Sequence, residues 1–291
     1  YGLIKSLKIK EKEFKKIKKI GRTHMMDAVP MYLGEEFSAY IFQMELAIKH
    51  IKFSLSGASS LAIGGTAVGN GINTHKDFAK EMVKELSNQL GYSFTEKKNK
   101  FAGLSTHDDL SYFSASLRVM ATSLYKIASD LRFLCSGPRS GIYELKFKGN
   151  EPGSSIMPGK INPTQIEALC MICTQVLAND FATSFANSQG QLQLNTYKPV
   201  IIYNLIQSIR LLTEGLNSFS LLFLDTLEAN TEKIQKYVDF SLMAATKLNP
   251  VFGYDLMSEV VKSALEKDIS LKDELIGRKL LTEEEFKKLK L

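Results

Sequence analysis

The sequence predicts an all-α fold: a central bundle of long helices followed by a small helical C-terminal domain. Two observations carry this. Apolar residues repeat at alternating steps of three and four over long stretches, the spacing of helices packed side by side at shallow angles. Strand signals are few and short, with 141–149 (GIYELKFKG) the best of them. Seven Pro and no Trp in 291 residues also suit a mainly helical chain.

Taken in order, residues 1–20 place Leu3, Leu7, Phe14 and Ile17 at bundle spacing, with the lysines between them read as a solvated face. A polar segment, GRTHMMDAVP (21–30), separates this helix from the next. That next helix carries the stripe Phe37, Ile41, Met44, Ile48, Ile51 and Leu55. The Gly/Ser-rich segment 56–75 leads into a helix at about 74–90. A longer stripe follows at Leu110, Phe113, Leu117, Met120, Leu124, Ile127, Leu131 and Leu134. After the loop FKGNEPGSSIMPGKINP (147–163) come a helix over 163–185 and the stripe Ile202, Leu205, Ile209, Leu212, Leu216 and Phe219. These helices are apolar away from the seam as well, as in VIIYNLIQSIRLL. A helix apolar on several sides must be buried on several sides, so a homo-oligomer with a shared helical core is expected. Beyond about residue 230 the segments shorten. The expected division is therefore 1–230 as the central bundle and 231–291 as the C-terminal domain.

Charge and composition narrow the function. Lys and Arg exceed Asp and Glu by 37 to 31, yet residues 1–20 hold eight Lys and two Glu, so the remaining 271 residues are neutral. A polyanion-binding protein would spread Arg and aromatic residues through a basic face, and that pattern is absent, so no nucleic-acid partner is expected. No apolar run reaches the roughly 18 residues of a membrane span, and residues 1–20 read neither as a secretory signal nor as a transit peptide. Three Cys, two of them in a CxxC within a helical run, indicate a reducing compartment and core thiols rather than a metal site. GGTAVGNG lacks the GK[ST] ending of a phosphate cradle and reads as a tight turn.

The chemistry concentrates in 153–167. Asn162, Pro163 and Gln165 occupy the positions of an N-cap, a first helical residue and an N3 partner, which marks a helix start. A helix N-terminus is a ready anion site, and Lys160 adds a full charge beside it. Ser154 and Ser155 lie in the same Gly/Pro-shaped loop as candidate nucleophile or base; the plainer reading is a well-capped surface helix. His24 follows Arg22 and Thr23 in a polar cluster, and a carboxylate on the first turn after Pro163, Glu167, could pair with a histidine and raise its basicity. A lone histidine is more commonly structural, and spacing does not say whether the two meet.

These motifs resemble the fumarase/aspartase superfamily and, within it, the class II fumarate hydratases. GSSIMPGKINP matches the superfamily signature GSSxMPxKxNP, GRTHMMDAVP matches a second region, and GGTAVGNGINTH, SGPRSGI and LNPVFGYD are similar to fumarase segments in the same order. His24 and PTQ-E after Asn162 favour fumarase; GQLQLN (190–195) and Asn70 lean toward aspartase. The resemblance implies reversible hydration of fumarate to L-malate without metal or organic cofactor. It implies Ser154 as the base, His24 as the group that handles water, and Glu167 as its orienting partner. Thr23, Ser155, Lys160, Ile161 and Asn162 would bind the dicarboxylate. It further implies a homotetramer with active sites shared between subunits, in the cytoplasm or the mitochondrial matrix. Family members carry an N-terminal third that this chain lacks, so it is expected to be a fragment, inactive alone. The alternatives are an aspartate ammonia-lyase and a helical oligomerisation scaffold without catalysis.

Overall fold

The computed structural model describes residues 1–289. In chain order it contains α1 (Gly2–Phe14), β1 (Lys18–Thr23), β2 (Met26–Tyr32), α2 (Leu33–Ala58), β3 (Ser60–Leu61) and α3 (Phe78–Leu90). There follow β4 (Thr95–Glu96), α4 (Lys100–Ser105), α5 (Asp108–Leu134), β5 (Leu145–Lys146), α6 (Thr164–Asn187) and α7 (Lys198–Leu222). The rest is β6 (Glu228–Ala229), α8 (Thr231–Phe240), α9 (Asn249–Phe252), α10 (Tyr254–Glu266), α11 (Leu271–Gly277) and α12 (Glu283–Lys288), with 3-10 turns at Leu224–Thr226 and Met243–Leu248. The fold is mostly helical, as the periodicity predicts. Two compact units divide it. The first comprises 1–4, 41–132 and 149–225; the second comprises 5–40, 133–148 and 226–291.

The first unit is a bundle of long helices. On α5, Phe113, Leu117, Leu124, Ile127 and Leu131 are buried as their stripe requires, with Ala121 and Ala128 filling in between them. Helices α6 and α7 pack closely: Asn179 donates from Nδ2 to Ser208 Oγ and to Gln207 Oε1, each at 3.0 Å. The seam of α7 departs from the predicted stripe. Ile201, Leu205, Ser208, Leu212 and Phe219 are buried, whereas Ile202 and Ile209 are exposed. Because α7 is apolar all round, its hydrophobic pattern does not say which side faces α6. The exposed side carries Ile202, Tyr203, Ile206 and Ile209, and α6 exposes Met171, Phe181 and Phe185.

In the second unit, Phe14 meets Phe37 edge-on at 5.1 Å, and Phe37 meets Tyr40 at 5.6 Å. A separate cluster of Ala244, Ala245, Leu248, Met257, Val260, Leu271 and Leu275 holds α10 and α11 together. Residues 18–32 depart from the all-α expectation: β1 and β2 form an antiparallel hairpin where the sequence reads as a helix end and a polar connection. The lysine-rich start departs too. Lys10 is buried and donates to Leu227 O at 2.6 Å, and Lys19 is buried among carboxylates, so the face is solvated only in part.

Candidate active site

The loop 149–163, in the first unit, closes on itself. A Cβ placed on Gly153 would lie 2.0 Å from Lys160 O, so only glycine lets the two strands of the loop approach this closely. Asn162 donates from Nδ2 to Gly153 O at 2.6 Å and fastens the same neck. Lys160 N donates to Met157 O at 3.2 Å, and Gly159 takes a left-handed φ of 78° to complete the turn. Ile161 packs against Gly149 at the outer end of the neck.

Within the loop, the half-buried Ser154 is gripped by backbone. Its Oγ accepts hydrogen bonds from Ile156 N at 3.2 Å and Met157 N at 3.1 Å. Two amides aimed at one oxygen favour negative charge on it, the condition a serine needs to act as a base. Ser155, Lys160 and Ile161 are exposed around it.

The start of α6 differs from the sequence expectation. Pro163, not Asn162, holds the cap position, and no side chain bonds there. The Asn162 side chain is instead turned to Gly153, to whose carbonyl its Nδ2 donates. Gln165 does not complete a capping box either, since its Oε1 accepts from Ser218 Oγ at 2.8 Å. The outcome still suits an anion site, because Pro163 offers no side-chain acceptor to compete for the first amides of α6. Glu167, on that first turn, accepts from Arg132 Nη2 at 2.7 Å. Sequence reasoning missed Arg132, which sits 35 residues away in the chain with no motif to mark it.

Thr23 and His24 belong to the second unit. They stand at the hairpin tip, where Thr23 pairs with Met26 and the connection is the two residues His24 and Met25. Both have left-handed backbone, φ 55° and 63°, the signature of a type I′ turn. Such turns favour Asn-Gly; His-Met here costs on the order of 1 kcal/mol or more per residue and persists only where the surroundings impose it. Strained backbone under an exposed histidine is an observation that points toward function.

Elsewhere, burial pushes the thiols of Cys135 and Cys173 up to about 12, and burial also raises that of the half-buried Cys170 on the same face of α6. Among the described residues no cluster of three or more His, Cys, Asp or Glu could hold a metal ion.

The lyase family model matches residues 2–178, well over half of the chain. The chain belongs to the lyase family. Residues 245–290 of this lyase-family chain also match the model of the fumarase C C-terminus. Fumarate hydratase class II of Helicobacter pylori is 48% identical over 287 residues, 99% of this chain and 62% of that protein. The mitochondrial fumarate hydratase of Saccharomyces cerevisiae is 48% identical over 285 residues, 98% of this chain and 58% of that protein. Among solved structures, the class II fumarase of Schistosoma mansoni superposes with a TM-score of 0.95 at 43% identity, covering 99% of this chain and 63% of that one. This lyase-family chain thus spans about three-fifths of the length of the relatives it matches.

Proposed function

We propose that the protein catalyses the reversible hydration of fumarate to L-malate. The observation that carries this reading is Ser154 Oγ held by two backbone amides in the GSSIMPGKINP loop, in a chain 48% identical to a protein named fumarate hydratase class II. In the direction of dehydration, ionised Ser154 takes the C3 proton of malate. The electron pair left at C3 moves into the adjacent carboxylate and gives an aci-carboxylate. That extra negative charge is met by the Lys160 ammonium and the uncapped start of α6, while Asn162 keeps the loop closed. The pair then returns to form the C2–C3 double bond. The hydroxyl leaves C2 as water, taking a proton from His24. Thr23, Ser155 and Ile161 hold the remaining substrate atoms.

Glu167 is assigned to orient His24. Its carboxylate has a second oxygen beyond the one Arg132 engages, so the two roles are compatible. Assembly as a homotetramer with shared active sites is supported by the exposed Met171, Phe181 and Phe185 of α6 and the exposed Ile202, Tyr203, Ile206 and Ile209 of α7. No described helix is long and apolar enough to cross a membrane. Three free thiols fit a reducing compartment, cytoplasm or mitochondrial matrix.

The test is Ser154→Ala in protein expressed from its whole reading frame. Turnover should fall by roughly 10²–10⁴-fold, as for loss of a general base, with assembly unchanged. Aspartate deamination in place of malate dehydration, or a fully active S154A protein, would overturn the reading.

A further inference from the structure

Strand β1 is anchored by charge in the second unit. Glu144 is fully buried, and both of its oxygens face cations from β1: Oε2 lies 3.0 Å from Lys19 Nζ, and Oε1 lies 2.8 Å from Arg22 Nη1. Lys19 also donates to Glu36 Oε2 at 2.7 Å. The four charges balance, as a buried cluster requires. Residues three apart on a regular strand point to opposite faces, so Lys19 and Arg22 should not share a partner. They do so across an irregularity of the hairpin: the pairing register shifts between Ile20 and Arg22, with the extra residue on β2.

Glu144 rests on a support that is not part of the hairpin. Its carbonyl accepts from Asn230 N at 2.8 Å, and the Tyr143 carbonyl accepts from Asn230 Nδ2 at 3.0 Å. Leu145 pairs with Ala229, and Tyr237 Oη donates to Ile142 O at 3.0 Å. The Tyr237 ring also lies 5.4 Å from the Arg22 guanidinium, so one side chain touches Arg22 and the backbone two residues before Glu144. Arg22 is separated from His24 only by Thr23. The left-handed residues at the tip need surroundings that fix them, and this cluster is the buried structure nearest in the chain.

A buried ion cluster stabilises a fold no better than apolar side chains of the same volume. The contacts to Glu144 are close ion pairs without hydrogen-bond geometry, yet two of them from one buried carboxylate to side chains three residues apart still fix where a strand sits along its own axis. We propose that Glu144 is a positioning residue: through Lys19 and Arg22 it sets the seat of the hairpin tip, and with it the placement of Thr23 and His24. This inference rests on the roles assigned to those two residues in fumarate hydration. Glu144 itself touches no substrate; it acts by holding β1.

The experiment uses Glu144→Gln and Arg22→Lys in the protein expressed from its whole reading frame. Steady-state kinetics are normalised to folded protein by calorimetry, and amide hydrogen exchange is followed for peptides covering 18–30 and 254–277. Because a misplacement of 1 Å costs on the order of 100-fold in rate, E144Q should lower kcat by roughly 100-fold, with a smaller rise in KM from the displaced Thr23. R22K, which keeps the charge and loses the planar fork, should lower kcat by roughly tenfold. Exchange should rise in 18–30 and stay unchanged in 254–277. A folded E144Q protein with kcat within threefold of the parent and unaltered exchange overturns the proposal. If E144Q does not fold, R22K decides alone, and normal kcat and exchange in that variant overturn it. If the parent protein does not hydrate fumarate, the functional reading fails, and the exchange data by themselves still decide whether Glu144 seats the hairpin.

Discussion

Gly153→Ala perturbs the loop 149–163, the proposed catalytic loop, by one methyl group. The new Cβ would lie 2.0 Å from Lys160 O, 2.6 Å from Lys160 C and 3.1 Å from Ile161 Cα, all of them backbone atoms that no rotamer change can move aside. Restoring an ordinary contact of 3.4 Å requires the neck to open by about 1.4 Å. That opening stretches the 2.6 Å bond from Asn162 to Gly153 O and displaces Ser154, the next residue. Overpacking of this kind costs about 1–3 kcal/mol locally, and the loop is exposed enough for the bundle to survive it. A displacement above 1 Å at the base is worth a factor of roughly 100 in kcat, about 2.7 kcal/mol of barrier. The assay is fumarate absorbance at saturating malate, with the unfolding midpoint and the oligomeric state measured alongside. A G153A protein within threefold of the parent kcat would refute the claim that closure of this neck aligns Ser154.

Two further outcomes follow from ionisable groups. Lys267, with Ser263 and Arg278, holds the Glu274 carboxyl down at about 2. A depressed carboxylate stabilises the fold above its unfolded value, near 4.3, and loses that contribution as pH falls toward 2. The parent should therefore unfold at a higher temperature than Glu274→Gln at pH 6, and the difference should shrink between pH 4.5 and pH 2; a constant difference would contradict the assignment. Burial pushes the Cys135 and Cys173 thiols up to about 12, so an alkylating reagent at pH 8 should modify them only after denaturant is added, as read by mass spectrometry of the peptides. Rapid labelling of Cys173 in the native protein would show that α6 is not packed as described.

The parts of the fold that were legible in the sequence are those with one apolar stripe. On α5 the stripe matches burial from Phe113 to Leu134 except at the half-buried Met120. On α7 the periodicity identifies the helix but not its inward side, because Ile201 and Ile202 are equally apolar and only the packing against α6 chooses between them. The hairpin 18–32 was hidden for a different reason. Its first strand is held by Lys19 and Arg22 reaching Glu144, more than 120 residues away, and no local signal encodes that. In the loop 149–163, local capping rules misassigned one residue. Asn162 has the right type and position for a helix cap, yet its side chain fastens the loop neck, a use that depends on Gly153 leaving room. The pair Arg132 and Glu167 likewise joins two helices and has no signature in either.

The most direct measurement is the absorbance of fumarate formed from L-malate by the protein expressed from its whole reading frame, compared with its Ser154→Ala variant. A malate-dependent rise in the parent, reduced by at least 100-fold in a variant of unchanged oligomeric state, is the predicted result. No rise in the parent, or an equal rise in both, would contradict the assignment of Ser154 and its two amides as the base of a fumarate hydratase.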